Sequence, residues 1–110
     1  MEITWLGHSC FKIKGKEATL IIDPCPPEYG YNLGNPEADI IALTHFHPGH
    51  SYVEGVSGEP KQIKGPGEYE VADVFITGIA CFHDAEQGSK RGKNTIYQIL
   101  VDSLTMCHLG

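Results

Sequence analysis

The apolar run Ile40–Leu43 is the feature that most constrains the fold of this chain. Four consecutive apolar residues followed by a turn are typical of a strand that is buried in a sheet. The stretch Thr44–His50 follows directly and contains three of the six histidines of the chain. Since a loop at the end of a buried strand is where α/β sheets carry their chemistry, we expect a functional site here rather than three surface histidines on a turn.

The spacing of these histidines predicts a metal centre. His45 and His47 can project together from the strand end, because residues i and i+2 of an extended backbone point the same way. Pro48 and Gly49 turn the chain, so that His50 can return toward the same point. Neutral imidazole is the commonest metal ligand near neutral pH, and converging imidazoles are how a Zn²⁺ site with an open position is built.

Length and composition limit the class of protein. One hundred and ten residues allow one domain at most, taken as 1–110, with a modest core. Thirteen glycines and seven prolines predict short elements and turns rather than long helices. The formal net charge of −6 argues against a nucleic-acid partner bound by bulk electrostatics. No apolar run reaches the roughly 18 residues of a membrane span, so we expect no membrane partner.

The cysteines and the N-terminus bear on the compartment. Residues 1–4 lack the basic start and the apolar segment of a signal peptide. The four cysteines, at 10, 25, 81 and 107, form no C-x-x-C pair, which argues against a four-cysteine zinc site. A disulfide framework is open by count, but without an export signal we expect reduced thiols and a cytoplasmic protein.

Alternating apolar and polar residues predict a chain of short strands with one or two helical turns at Ser51–Gly55. The first three strands are expected to form an antiparallel meander, and the last two a hairpin around Asp102–Ser103. The predicted strands are Ile3–Leu6, Cys10–Ile13, Ala18–Ile22, Asp39–Leu43, Gln62–Lys64, Tyr69–Val71, Val74–Ala80, Asn94–Val101 and Leu104–Cys107.

The pattern Thr-His-X-His-X-X-His after an apolar strand resembles the metal-binding signature of the metallo-β-lactamase superfamily. That signature is usually His-X-His-X-Asp-His, and here Gly49 stands at the aspartate position. Further stretches resemble the branch of small bacterial metal-dependent hydrolases that includes the ascorbate-phosphate lactonases. These stretches are Thr4–Cys10, Ile21–Pro24, Gly65–Tyr69, Cys81–Asp84 and His108–Gly110.

The resemblance implies a fold and an activity. The expected fold is α/β and β-rich: the N-terminal half of an αββα sandwich, with mostly antiparallel or mixed sheets and little helix. The expected activity is hydrolysis of a small-molecule ester, lactone or phosphoester, in which a metal-activated hydroxide attacks. The substrate is expected to be small and in some cases anionic.

The resemblance also implies which residues hold metal. His45, His47 and His83 would form the first site, with one open position. His50 belongs to a second site in the relatives, together with the aspartate that Gly49 replaces and an aspartate that would follow the end of the given sequence. We therefore expect one Zn²⁺ rather than two, with Mn²⁺ or Fe²⁺ as alternatives.

Other site residues are expected around these ligands. Asp84, beside His83, is a candidate ligand or general base, and with His50 it makes up the predicted catalytic pair. By resemblance, Asp23 orients the histidine loop and His8 lies near the metal cleft. His108 is expected near the cleft without being a usual ligand. From the residues alone, Asp23 could instead cap a turn and His8 could be an ordinary polar turn residue.

Two other functions stay open at this stage. One is a non-catalytic metal-binding remnant or half-domain, which would self-associate as a homo-oligomer through apolar surface left exposed. The other is a β-rich interaction module in which the histidines are incidental. Metal analysis separates the module from the metal-binding alternatives, and turnover of a generic substrate separates the hydrolase from the remnant.

Overall fold

The fold is known from a computed structural model, which describes residues 1–26, 36–44, 53–82 and 93–110. The described residues form nine strands and a 3-10 turn at Val53–Gly55. The strands are β1 (Glu2–Gly7), β2 (Cys10–Lys14), β3 (Thr19–Ile22), β4 (Ile40–Leu43), β5 (Lys61–Lys64), β6 (Gly67–Val71), β7 (Val74–Phe82), β8 (Lys93–Val101) and β9 (Leu104–His108).

The first sheet has five strands in the order β1-β2-β3-β4-β5. β1, β2 and β3 run antiparallel, which confirms the predicted meander, while β4 and β5 run parallel to β3. β3 and β4 each begin one residue later than predicted. At the start of these strands, Oδ2 of the Asp39 side chain accepts a hydrogen bond from the Thr19 backbone N–H at 2.8 Å.

The second sheet has four antiparallel strands in the order β6-β7-β8-β9. Two tight turns connect β6 to β7 and β8 to β9, through Ala72–Asp73 and Asp102–Ser103, and all four residues have positive φ between 49° and 66°. Two consecutive positive φ angles are typical of the turn type that matches the twist of a hairpin. The predicted hairpin is thereby confirmed. β7 runs two residues beyond its predicted end and pairs with β8 through Phe82.

The main core lies between the two sheets. Ile40 of β4 faces it, together with Ile76 and Ile99 of the second sheet. A smaller apolar cluster lies on the opposite face of the first sheet, where Ile41 and Leu43 contact residues of the neighbouring segments. β4 is therefore buried on both faces, which explains why Ile40–Leu43 is apolar at every position.

The outer strands leave apolar side chains in contact with solvent. Ile3 and Trp5 on the edge strand β1 are 53% and 58% exposed. Phe75, Ile79 and Leu100 are exposed on β7 and β8 of the second sheet. Within the described ranges, no helix is both long and apolar enough to span a bilayer.

Candidate metal centre

The predicted ligands His45, His47, His50 and His83, and the predicted catalytic Asp84, lie outside the described residues. Their assignment to a metal centre therefore stays a prediction. In the described ranges, no three His, Cys, Asp or Glu side chains come together as a metal site. The structure does describe the backbone that leads into both histidine stretches, up to Thr44 on one side and through β7 on the other.

A hydrogen bond between the sheets brings these two strand ends to one edge of the sandwich. The Thr95 backbone N–H donates to the Thr44 carbonyl oxygen at 2.9 Å. Thr95 lies on β8, where its partner across the ladder is Ala80 of β7. Thr44 and Ala80 are thus both neighbours of Thr95, the first through this hydrogen bond and the second through the strand ladder. The two segments that carry the predicted ligands are therefore joined through β8.

Asp23 holds the residue that precedes the first histidine. It lies at the end of β3, is fully buried, and has a φ of 50°. Its Oδ1 accepts a hydrogen bond from the Thr44 backbone N–H at 2.8 Å, and its Oδ2 accepts one from the Thr44 hydroxyl at 2.6 Å. A buried carboxylate needs such donors, since an unpaired charge in the interior is very costly. These are the contacts that a role in orienting the histidine loop requires, and that role stays a prediction.

Tyr97 fixes the end of β4 from the other sheet, and sequence reasoning did not single it out. Its hydroxyl donates to the Leu43 carbonyl oxygen at 2.8 Å and accepts from the Gly65 backbone N–H at 3.0 Å. Burial raises the pKa of this phenol to about 12, so it stays protonated and able to donate throughout the neutral range. A tyrosine in an inward position of a strand would be taken from sequence for an ordinary core residue.

His108 has both ring nitrogens engaged within the protein. Nε2 lies 3.0 Å from the Ser9 carbonyl oxygen, and Nδ1 accepts a hydrogen bond from the Gly110 backbone N–H at 3.2 Å. Since a carbonyl oxygen can only accept, these two contacts fit the tautomer in which Nε2 donates and Nδ1 accepts. The ring also meets Phe11 edge to face, with centroids 5.8 Å apart. With these contacts His108 ties β9 to the turn after β1.

His8 lies in that same turn, with an exposed side chain and a φ of 49°. Its carbonyl oxygen accepts a hydrogen bond from Nε1 of Trp5 at 2.9 Å. The turn is thus held by Trp5 on one side and, through Ser9, by His108 on the other. Whether either histidine borders the metal centre stays a prediction.

The buried thiols near Asp23 belong to the core. Cys10 and Cys25 are fully buried, and all four cysteines of the chain are free thiols. Burial, with smaller contributions from the neighbouring Cys25 and Asp23, raises the pKa of the Cys10 thiol to about 12. Because the thiolate is the nucleophilic form, Cys10 is inert as a nucleophile at neutral pH.

Asn94 on β8 is a second residue that sequence reasoning missed. Its side chain is only 5% exposed, and its Nδ2 donates to the Leu109 carbonyl oxygen at 2.9 Å. The only signal in the sequence is an asparagine in a β-prone run, where this residue type is depleted.

Comparison with known proteins gives a consistent result. A family model described as a β-lactamase superfamily domain matches residues 2–110. A metal-dependent hydrolase of the UPF0173 family from Methanoculleus marisnigri is 46% identical, over 100% of this chain and 58% of that protein. One from Mesorhizobium japonicum is 32% identical, over 69% of this chain and 32% of that protein.

Two solved structures share the fold. A proposed Zn-dependent hydrolase of the metallo-β-lactamase superfamily from Thermotoga maritima is 34% identical with a TM-score of 0.77, over 98% of this chain and 48% of that one. A proposed metal-dependent hydrolase from Parabacteroides distasonis is 19% identical with a TM-score of 0.75, over 98% of this chain and 59% of that one. The chain thus spans about half the length of the Methanoculleus and Thermotoga proteins.

Proposed function

The chain belongs to the β-lactamase superfamily domain family, and from this membership we propose that it acts in metal-dependent hydrolysis of small molecules. The observation that supports the proposal most directly is the set of hydrogen bonds that hold Thr44 in place. The Asp23 carboxylate accepts two hydrogen bonds from it, and the Thr95 N–H donates a third to its carbonyl oxygen. Three bonds on one residue are what the strand end would need to present His45 and His47 in a constant geometry.

The donor set in the sequence fits zinc. Imidazole nitrogen is a preferred ligand of Zn²⁺, and His45, His47 and His83 would supply three of them and leave one position open. When bound, the metal supplies Lewis acidity toward a carbonyl or phosphoryl oxygen and makes water acidic enough to react as a nucleophile at neutral pH. The chain's own residues orient the ligands, and Asp84 or His50 would accept the proton.

The substrate class is proposed to be an ester, a lactone or a phosphoester, neutral or anionic. A divalent cation dominates the local field, so the negative charge of the chain does not oppose an anionic substrate. A cytoplasmic location is part of this proposal, and the four free thiols support it, since disulfides are rare in a reducing compartment.

Zinc titration of the whole chain tests this function. The wild type is expected to take up zinc, and His47→Ala is expected to lose most of that uptake. Gln98→Ala is the control, since Gln98 has an exposed side chain on β8 and no predicted role in the site, and it should bind zinc like the wild type. Equal zinc uptake by the wild type and His47→Ala would refute the site.

Turnover assays distinguish the hydrolase from the alternative, a non-catalytic metal-binding protein. The zinc-loaded chain would be assayed with a chromogenic phosphodiester and a simple lactone, with His47→Ala and Asp84→Asn as comparisons. Hydrolysis that is lost in both variants supports the proposal. Zinc binding without turnover of either substrate would favour the non-catalytic metal-binding protein.

One observation favours that alternative in its self-associating form. Ile3 and Trp5 are each more than half exposed on the edge strand β1, where a second copy of the chain could cover them. Sedimentation equilibrium of the wild type and of Trp5→Lys tests this association. A dimer that becomes a monomer in Trp5→Lys supports it, and a monomeric wild type at high concentration would refute it.

A further inference from the structure

In the part of the chain that the structure describes, β8 has no strand partner at Asn94 on the β9 side, and the Asn94 side chain lies there. The β8–β9 ladder begins at the pair Tyr97 and His108, so Asn94 lies beyond its end. On its other side, Asn94 is still the ladder partner of Cys81 on β7. The end of β7 and the segment after β9 are therefore linked to each other by the Asn94 side chain rather than by a continuous strand ladder.

The amide nitrogen of Asn94 makes this link with both of its hydrogens. Nδ2 donates to the Leu109 carbonyl oxygen at 2.9 Å and to Sγ of Cys81 at 3.3 Å. Cys81 lies two residues before His83, and Leu109 lies next to His108. One amide group thus sets the distance between the end of β7 and the segment that follows β9.

The amide oxygen of Asn94 adds little to the stability of the fold. Oδ1 of Asn94 is buried and has no hydrogen-bond partner among the described residues. A buried oxygen without a donor is destabilising, so the fold gains little from an amide at this position. Gly110 lies against the same group: a Cβ on it would come within 2.6 Å of Nδ2 and closer still to Oδ1.

The neighbour of Asn94 on β8 continues the connection to the other histidine stretch. The Thr95 N–H donates to the Thr44 carbonyl oxygen, so consecutive residues of β8 hold the backbone before His45, the Cys81 side chain before His83 and the segment after β9. We infer that Asn94 is a positioning residue for the metal centre, which it serves by fixing the end of β7 relative to Leu109 and Gly110. This inference rests on the proposed function.

The substitution Asn94→Leu tests the inference in the whole chain. Leucine has nearly the same shape, carries no charge that could attract a cation, and removes the unpartnered oxygen together with the two donated hydrogen bonds. Groups hydrogen-bonded directly to metal ligands typically change metal affinity by roughly 10- to 100-fold, and since Asn94 contacts Cys81, two residues before His83, the lower limit of about 10-fold applies. We expect Zn²⁺ affinity, measured by competition with a chromophoric chelator, to fall by that factor while the metal-free variant keeps its strand circular dichroism.

Cobalt provides a readout that a loss of stability alone would not change. The visible absorption of bound Co²⁺ depends on ligand geometry, so the band of the loaded Asn94→Leu variant should shift in position or intensity. Gln98→Ala is the matched control, because Gln98 is an amide on the same strand with an exposed side chain. It should leave zinc affinity and the cobalt spectrum unchanged.

A second variant serves if Asn94→Leu does not fold. Gly110→Ala adds a methyl group against the Asn94 amide at the edge of the fold, and it should lower zinc affinity by pushing that amide aside. Zinc affinity within about twofold of the wild type in the folded variant, with an unchanged cobalt spectrum, would overturn the inference and leave the proposed function standing. If the wild type itself binds no zinc, the proposed function fails first and the inference fails with it.

Discussion

The hydroxyl of Tyr97 is expected to be one of the largest single contributions of a polar atom to stability, and Tyr97→Phe isolates it. Phenylalanine fills the same space, so the substitution opens no cavity in the core between the sheets. It removes the donor to the Leu43 carbonyl oxygen and the acceptor for the Gly65 N–H. Both groups lie at strand ends, 54 and 32 residues away in sequence, so the change also loosens the contact between the two sheets.

The change in the free energy of unfolding follows from the two backbone groups that lose a hydrogen-bond partner. Each buried polar group that loses its partner costs about 1–3 kcal/mol. Gly65 is partly exposed, so water can replace its lost acceptor, whereas the Leu43 carbonyl is buried. We therefore expect Tyr97→Phe to lower the free energy of unfolding by about 2 kcal/mol, which for a domain of this size is about 8 °C in melting temperature.

Urea denaturation followed by circular dichroism measures this difference, and Tyr69→Phe is the matched control. The Tyr69 hydroxyl donates to the Gly65 carbonyl oxygen at 3.1 Å, but the side chain is only partly buried. Its loss should cost well under about 1 kcal/mol, because water can take over the bond. Equal effects of the two substitutions, or a change below about 0.5 kcal/mol in Tyr97→Phe, would refute the argument from burial.

Three further outcomes are expected. Burial raises the pKa of Cys10 and of Tyr97 to about 12, so above pH 9 the unfolded chain releases protons that the folded chain keeps. The contribution of these two groups to stability should then be level at neutral pH and fall by about 1.4 kcal/mol per pH unit for each group, from about pH 9 for Cys10 and from about pH 10 for Tyr97; urea midpoints that stay level from pH 8 to 11 would contradict this. Gly78→Ala should destabilise the chain by about 1–3 kcal/mol in the same denaturation assay, because its Cβ would lie 2.7 Å from the Gly65 carbonyl oxygen; an alanine variant as stable as the wild type would show that the backbone yields there. Asp23→Asn should weaken Zn²⁺ binding in a chelator competition by roughly 10- to 100-fold, and unchanged binding would remove Asp23 from the group of ligand-orienting residues.

The strands were predictable because their signals are local. Alternation at Phe11–Lys14 and continuous apolar character at Ile40–Leu43 reflect one buried face and two buried faces respectively, and the structure has β2 and β4 there. The turn at Asp102–Ser103 was predictable for the same reason, since its geometry depends on two adjacent residues. The histidine spacing and the family signature likewise needed only the sequence to nominate His45, His47, His50 and His83.

The contacts that hold the site together could not be predicted in this way. Asp23 was expected near the histidine loop, but its two hydrogen bonds to Thr44 became visible only in the structure. Asn94 and Tyr97 gave no functional signal, since an asparagine and a tyrosine in a strand are compatible with many roles.

The sequence by itself thus determined the elements, the candidate ligands and the family of this protein. The tertiary structure decided which groups of β8 hold the ends of β4 and β7. Thr95 and Tyr97 donate to the carbonyl oxygens of Thr44 and Leu43, and Asn94 donates to the Cys81 sulfur. Periodicity reports which face of a strand is buried, because that is a property of neighbouring residues. A hydrogen bond between residues about fifty positions apart depends on how two sheets are stacked, and no pattern within either strand encodes that arrangement.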